Sequence, residues 1–129
     1  MKKKILLAIF TAILMVTCIV YVYADTDHQI SDLSNPNGAA VGDLAVGPGG
    51  IQAWTSGYAT VGLSISSYNT SCSGWQAPNG FLKGPYGMAS NYYILGNDSG
   101  QTFTLGYGGH EVKFSNGTSA SVGTSAFAY

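Results

Sequence analysis

The sequence predicts an all-β fold, a small antiparallel β-sandwich or partly open barrel of about six to seven strands. Three observations carry this prediction. Apolar residues recur at period two in short runs, Gly-, Pro- and Asn-rich turn signals separate those runs, and no stretch after residue 24 shows the spacing of an amphipathic helix. The C-terminal third, residues 101–129, reads as a β-meander. Residues 102–107 alternate polar and apolar, Gly108-Gly109 interrupts them, residues 111–114 resume the alternation, and Asn116-Gly117 turns the chain again. Both dipeptides tolerate the positive φ angles of a tight hairpin turn.

Residues 1–24 stand apart from the fold. Met1-Lys2-Lys3-Lys4, an apolar run over 5–22 and Val22-Tyr23-Ala24 have the anatomy of a signal peptide, with cleavage expected after Ala24. An uncleaved membrane anchor is the rival reading, because the apolar run exceeds a typical h-region. A lipidated Cys18 is a third reading, with Met15-Val16-Thr17 a poor lipobox. Residues 25–38 are polar, lack periodicity and end in Asn-Pro-Asn-Gly, as a flexible leader would. Residues 39–129 are expected to form a single domain, secreted or at the cell surface, since about 105 mature residues suffice for one core and not for two.

Removing the signal segment leaves Lys83 and Lys113 against Asp25, Asp27, Asp32, Asp43, Asp98 and Glu111. The mature chain is mildly acidic and contains no arginine, so the contacts on which nucleic-acid binding relies are lacking. Electrostatic binding to anionic membrane is disfavoured for the same reason, and no stable membrane insertion is expected once the signal is cleaved. Cys72 is the one cysteine left, so no intramolecular disulfide can form. Three roles are open to it: a buried small hydrophobe, an intermolecular bridge or a reactive thiol.

Along the domain, Val41, Leu44 and Val46 mark a short strand closed by Gly47-Pro48-Gly49-Gly50. Ala59, Val61, Leu63 and Ile65 share one parity and Thr60, Gly62, Ser64 and Ser66 the other, the pattern of a half-buried strand. Trp54 and Tyr58 lie off that parity, with Gly57 a candidate bulge. Residues 66–83, rich in Ser, Gly, Asn and Pro, read as a long functional loop with Trp75 in its middle. Residues 88–95 supply another strand, with Tyr92, Tyr93, Ile94 and Leu95 apolar on both parities, as in a central strand covered on both faces, a short buried helix being the alternative. In the last strand Ala120 and Val122 are even and Phe127 and Tyr129 odd, which a bulge near Gly123-Thr124 would reconcile.

The inventory for catalysis is thin. His28 lies in the leader and His110 follows the expected turn, a solvated setting, and neither Ser-His-Asp nor Cys72-His110 comes with a nucleophile motif. The carboxylates of Asp25, Asp27, Asp32 and Asp98 lack the spacing of a calcium loop, and no zinc spacing occurs. The chain is therefore read as non-enzymatic, without cofactor or metal. Sequons at Asn69, Asn97 and Asn116 mark surface loops.

Tyrosine is abundant in a chain short of charge, and Tyr and Trp supply amphipathic contact area at small entropic cost. Tyr92, Tyr107 and Tyr129 are assigned to the core. Tyr68, Trp75 and Tyr86, in or beside the loops, are the candidate binding residues, for an extracellular surface, a polysaccharide or a protein partner. The alternative is a self-assembling surface, pilus-like or matrix subunit that associates through its C-terminal strand, Ser125-Ala126-Phe127-Ala128-Tyr129. With Gly49-Gly50, Trp54 and Ser90-Asn91-Tyr92-Tyr93, this small Gly/Ser/Tyr-rich precursor also resembles lactococcin 972-type bacteriocins in bulk, which implies a secreted antimicrobial protein as a further alternative.

Overall fold

The computed structural model describes residues 25–128, and the signal-peptide reading and the assignment of Tyr129 to the core lie outside them. The protein is a β-sandwich of two four-stranded antiparallel sheets. The first sheet has the order β1 (Asp25–Ile30), β2 (Gly38–Gly47), β3 (Gly50–Ala59), β6 (Tyr92–Gly96). The second has the order β5 (Phe81–Met88), β4 (Ile65–Ala77), β7 (Thr102–Phe114), β8 (Ser119–Phe127). The chain crosses between sheets after β3, β5 and β6, so β1 lies beside β8 on one lateral side and β5 beside β6 on the other.

The core forms where the inward parities of the two sheets meet. Leu44, Val46, Ile51, Ala53, Cys72, Leu95, Phe103 and Ala126 make the larger apolar cluster, and Ala40, Val112, Phe114 and Ala120 the smaller. Full burial of Phe103 and Phe114 stabilises the fold by roughly 1.5–3 kcal/mol each. Cys72 is a core residue, 1% exposed, and burial pushes its thiol up to about 12, which removes it from thiolate chemistry.

Three buried threonines lie within the same layer and are tied together by His110, which is 2% exposed. With the imidazole held neutral by burial, the direction of each hydrogen bond follows from the one proton on each hydroxyl. Thr70 Oγ1 donates to the Ser90 carbonyl at 2.7 Å, so it accepts from Thr55 Oγ1 at 2.6 Å. Thr55 Oγ1 then accepts from His110 Nδ1 at 3.0 Å, and His110 Nε2 accepts from Thr124 Oγ1 at 2.8 Å. The one proton of the neutral imidazole is thus on Nδ1. Burial lowers its pKa from the ordinary 6.5 and outweighs the opposing pull of Asp43, the Trp54 carbonyl and Asp27. Methyl groups at Gly42 or Gly108 would overlap this ring, so both strands approach it only as glycine.

Several sequence expectations are corrected. Gly108-Gly109 is not a turn: it lies inside the continuous strand β7, where Gly108 makes room for His110 and Thr124, so the expected meander is a two-stranded hairpin. His110 is accordingly a core residue and not a solvated one. Residues 25–30 of the expected leader form β1, fully paired with β2 and reinforced by the contact of His28 with Asp43. Residues 66–77 of the expected loop belong to β4, a central strand whose inward residues Thr70, Cys72, Gly74 and Gln76 carry almost no apolar signal. Conversely, the clean alternation of residues 59–65 falls largely on the turn between sheets. There Val61 is fully exposed, while Leu63 and Ile65 pack on the smaller cluster. β6 is an edge strand with Ile94 exposed, not a central one. The β7–β8 register runs without a shift through Gly123, so there is no bulge and Phe127 faces outward.

Asp25 and Asp27 close the edge of β8. Their carboxylates accept from the backbone N–H groups of Phe127 at 3.0 Å and Ser125 at 2.9 Å. Burial raises the Asp27 pKa, but hydrogen bonds from Ser125 and Gln29, with His28 nearby, outweigh it and hold the carboxyl below its ordinary 3.8. The stabilisation from Asp27 is therefore complete above 3.8 and lost as the pH falls below it.

His110→Ala is expected to cost about 2–5 kcal/mol in urea unfolding, from the cavity and from hydroxyls left without partners. Because the unfolded chain takes up a proton on His110 before the folded one does, wild-type stability should hold above pH 6.5 and decline below it. That decline should be smaller in His110→Gln. Replacing Asp25 and Asp27 by Ala together frees the β8 edge and should produce concentration-dependent oligomers in sedimentation velocity at neutral pH.

Candidate functional site

Of the three sequence-predicted binding residues, the structure places one on an open face and separates the other two from it. Trp75 points outward from the second sheet and is 41% exposed. Tyr68 is half-buried against the smaller apolar cluster, where it serves the core. Tyr86 stands opposite Cys72 in the β4–β5 register and so lies on the other side of the sheet from Trp75, exposed at the open lateral edge. The three do not form one site.

The outer face that carries Trp75 has residues that sequence reasoning did not join. Register alone aligns Leu82, Trp75, Leu105 and Phe127 in one row across β5, β4, β7 and β8. Leu82 and Phe127 are about half exposed and Leu105 partly so. The next outward residue of β7 is Tyr107, in line with Ser73 and Ser125. It is 40% exposed, which corrects its assignment to the core. Tyr92, also assigned to the core, is half-buried on the outer side of the first sheet, with its ring 5.4 Å from that of Trp54.

Beyond Tyr107 the side chains vanish. Gly87, Ser71, Gly109 and Gly123 stand in register, and Asn69, Glu111 and Ser121 form the row after them. Between these rows the surface sinks into an open depression of about 430 Å³, lined by Asn69, Ser71, Gly109, Glu111, Ser121 and Gly123 among others. The lining holds one carboxylate and no cation, since His110 faces the core and is neutral. Among the described residues, no side-chain hydrogen bond engages Asn69, Glu111 or Ser121.

The signal that would have found this face is the alternation of β7 from Leu105 to Phe114. Leu105, Tyr107, Gly109, Glu111 and Lys113 point outward while Gly106, Gly108, His110, Val112 and Phe114 are buried. Reading Gly108-Gly109 as a turn broke that parity.

The remaining carboxylates are committed elsewhere. Asp98 accepts from Lys83 Nζ and Gln76 Nε2, both at 2.8 Å, and these bonds with the Lys83 charge hold its pKa low against the effect of burial. Asp32 accepts from the Ser34 N–H. Among the described residues, no group of three or more His, Cys, Asp or Glu side chains is placed to hold a metal ion.

The face is therefore an apolar and aromatic band beside a hydrogen-bonding depression. Such a surface suits reversible contact with an amphipathic polymer. Comparison with protein-family models, curated proteins and solved structures finds no match for this chain.

Proposed function

We propose that this protein is a secreted, non-enzymatic binding module that attaches to a cell surface or extracellular polymer through the outer face of its second sheet. The observation that carries the reading is the row of Leu82, Trp75, Leu105 and Phe127 with Tyr107 beside it, laid across all four strands with no covering element among the described residues. Large apolar side chains gathered on one open face mark contact surfaces more often than scattered exposed residues do. Tyr and Trp are the residues that recognition surfaces favour, because they bury much area and immobilise few torsions.

Two further observations support binding over the other readings. The depression contains a single carboxylate, whereas glycoside hydrolysis ordinarily needs an acid and a second carboxylate facing it. The β8 edge, through which the C-terminal strand would recruit another copy, already has two of its N–H groups accepted by Asp25 and Asp27.

Retention of the mature chain on insoluble cellulose, chitin and peptidoglycan tests the reading. Trp75→Ala is expected to lower retention about tenfold, equivalent to about 1.4 kcal/mol. The loss of cross-strand contacts with Leu82 and Leu105 should cost stability only roughly 0.2–1 kcal/mol. Unchanged retention, or a collapse of the melting temperature that shows Trp75 to be structural, would overturn the assignment.

A further inference from the structure

Resting on that reading of the face, we infer that the depression beside Tyr107 holds a single extended strand of a neutral glycan, lying across the β-strands, and that Gly123 is kept bare to admit it.

The argument begins with a glycine that the fold does not need. Glycine inside a strand marks a bulge, a close approach of another backbone, or a site where a ligand comes close. At Gly123 the β7–β8 register is continuous and φ is not positive. A methyl group there would have the Gly108 carbonyl as its nearest neighbour at 3.8 Å, an ordinary contact. Glycine nevertheless costs roughly 0.5–1 kcal/mol relative to alanine in a strand. Gly109 differs, because its methyl would press on the Ser71 hydroxyl. Packing therefore accounts for Gly109 and leaves the third possibility for Gly123.

The walls define the ligand. Tyr107, one row beyond the lining residue Gly109, offers an exposed ring beside the depression, a surface on which a pyranose can stack. Asn69, Glu111 and Ser121 on the other side supply donors and acceptors that no side-chain partner within the described residues satisfies. With one carboxylate in the lining and its only neighbouring cation among the described residues, Lys113, one row outside it, the depression offers uronates and phosphate-bearing polymers no cation of its own and suits hydroxyl-rich neutral ones. Within the depression the row of Ser71, Gly109 and Gly123 crosses three strands, about 10 Å at the usual strand spacing, a span of about two sugar units. A lone carboxylate holds such a chain by accepting hydrogen bonds from its hydroxyls without cleaving it.

Titration calorimetry with soluble cello-, xylo- and chito-oligosaccharides, alongside galacturonate oligomers, tests the inference on the mature chain. Wild type should bind at least one neutral series and none of the galacturonates. Gly123→Val should reduce that binding more than tenfold while its melting temperature stays level or rises, since a β-branched residue suits the strand. Ser121→Tyr, at an exposed position, fills the depression from its wall and should do the same, which guards against misfolding of the first variant. If both variants bind oligosaccharide as wild type does while Trp75→Ala still loses the insoluble polymer, the depression is not the subsite and the face reading survives. Failure of wild type to bind any neutral oligosaccharide, or tighter binding of galacturonates, overturns the inference. If Trp75→Ala also leaves polymer retention unchanged, the face reading falls as well.

Discussion

The fold depends on one buried histidine and the three threonines around it. Hydrogen bonds run from Thr124 through His110 and Thr55 to Thr70 and the Ser90 carbonyl, joining β8, β7, β3 and β4 with the loop before β6. With the imidazole neutral and a single proton on each hydroxyl, the network has one self-consistent direction, and among the described residues no buried side-chain polar atom lacks a partner. An apolar core specifies its sheets by shape alone. Here a misplaced register would also strand several buried polar groups at once, each costing about 1–3 kcal/mol. The interaction therefore discriminates between pairings more sharply than it stabilises the correct one.

The same interaction positions the candidate site. With His110 locked inward, strand alternation forces Gly109 and Glu111 outward, and Tyr107 with them. A slip of one residue would bury Tyr107 and Glu111 and expose the imidazole. The core and the binding face are thus opposite sides of one constraint, and a defect in the polar network should be felt on a surface it never touches.

What the sequence disclosed and what it concealed follow from which residues face inward. The sandwich class was legible because turn signals such as Gly47-Pro48-Gly49-Gly50 and Asn116-Gly117 fall between short runs, and both turns are where the sequence places them. β4 was hidden because its buried residues are Thr70, Cys72, Gly74 and Gln76, chosen to fit the histidine, Ile51 and Phe103 and not for hydrophobicity. Period-two reasoning counts apolar side chains, so a strand whose core face is polar or bare reads as a loop. The converse error, at Ala59 to Ile65, arose because apolar residues that cap one end of the core mimic the parity of a strand. Of the site, only Trp75 was legible. Its partners Leu82, Leu105, Phe127 and Tyr107 come together through inter-strand register, which separations of seven to fifty-two residues do not reveal.

The placement of the binding residues bears on how such a face would work. Trp75 and Tyr107 sit on the two thirteen-residue central strands, each paired on both sides, and not on the long loop in which Trp75 was expected. A residue on a loop must be ordered when a ligand arrives, and that ordering opposes binding by roughly 0.5–1.5 kcal/mol for each immobilised side chain. On a central strand the backbone term is already absorbed in folding, and Tyr and Trp have only two side-chain torsions left to fix. The flatness that strands impose also removes the shape selectivity a loop could provide. Discrimination must then come from what interrupts the flat face, which on this sheet is the depression beside Tyr107.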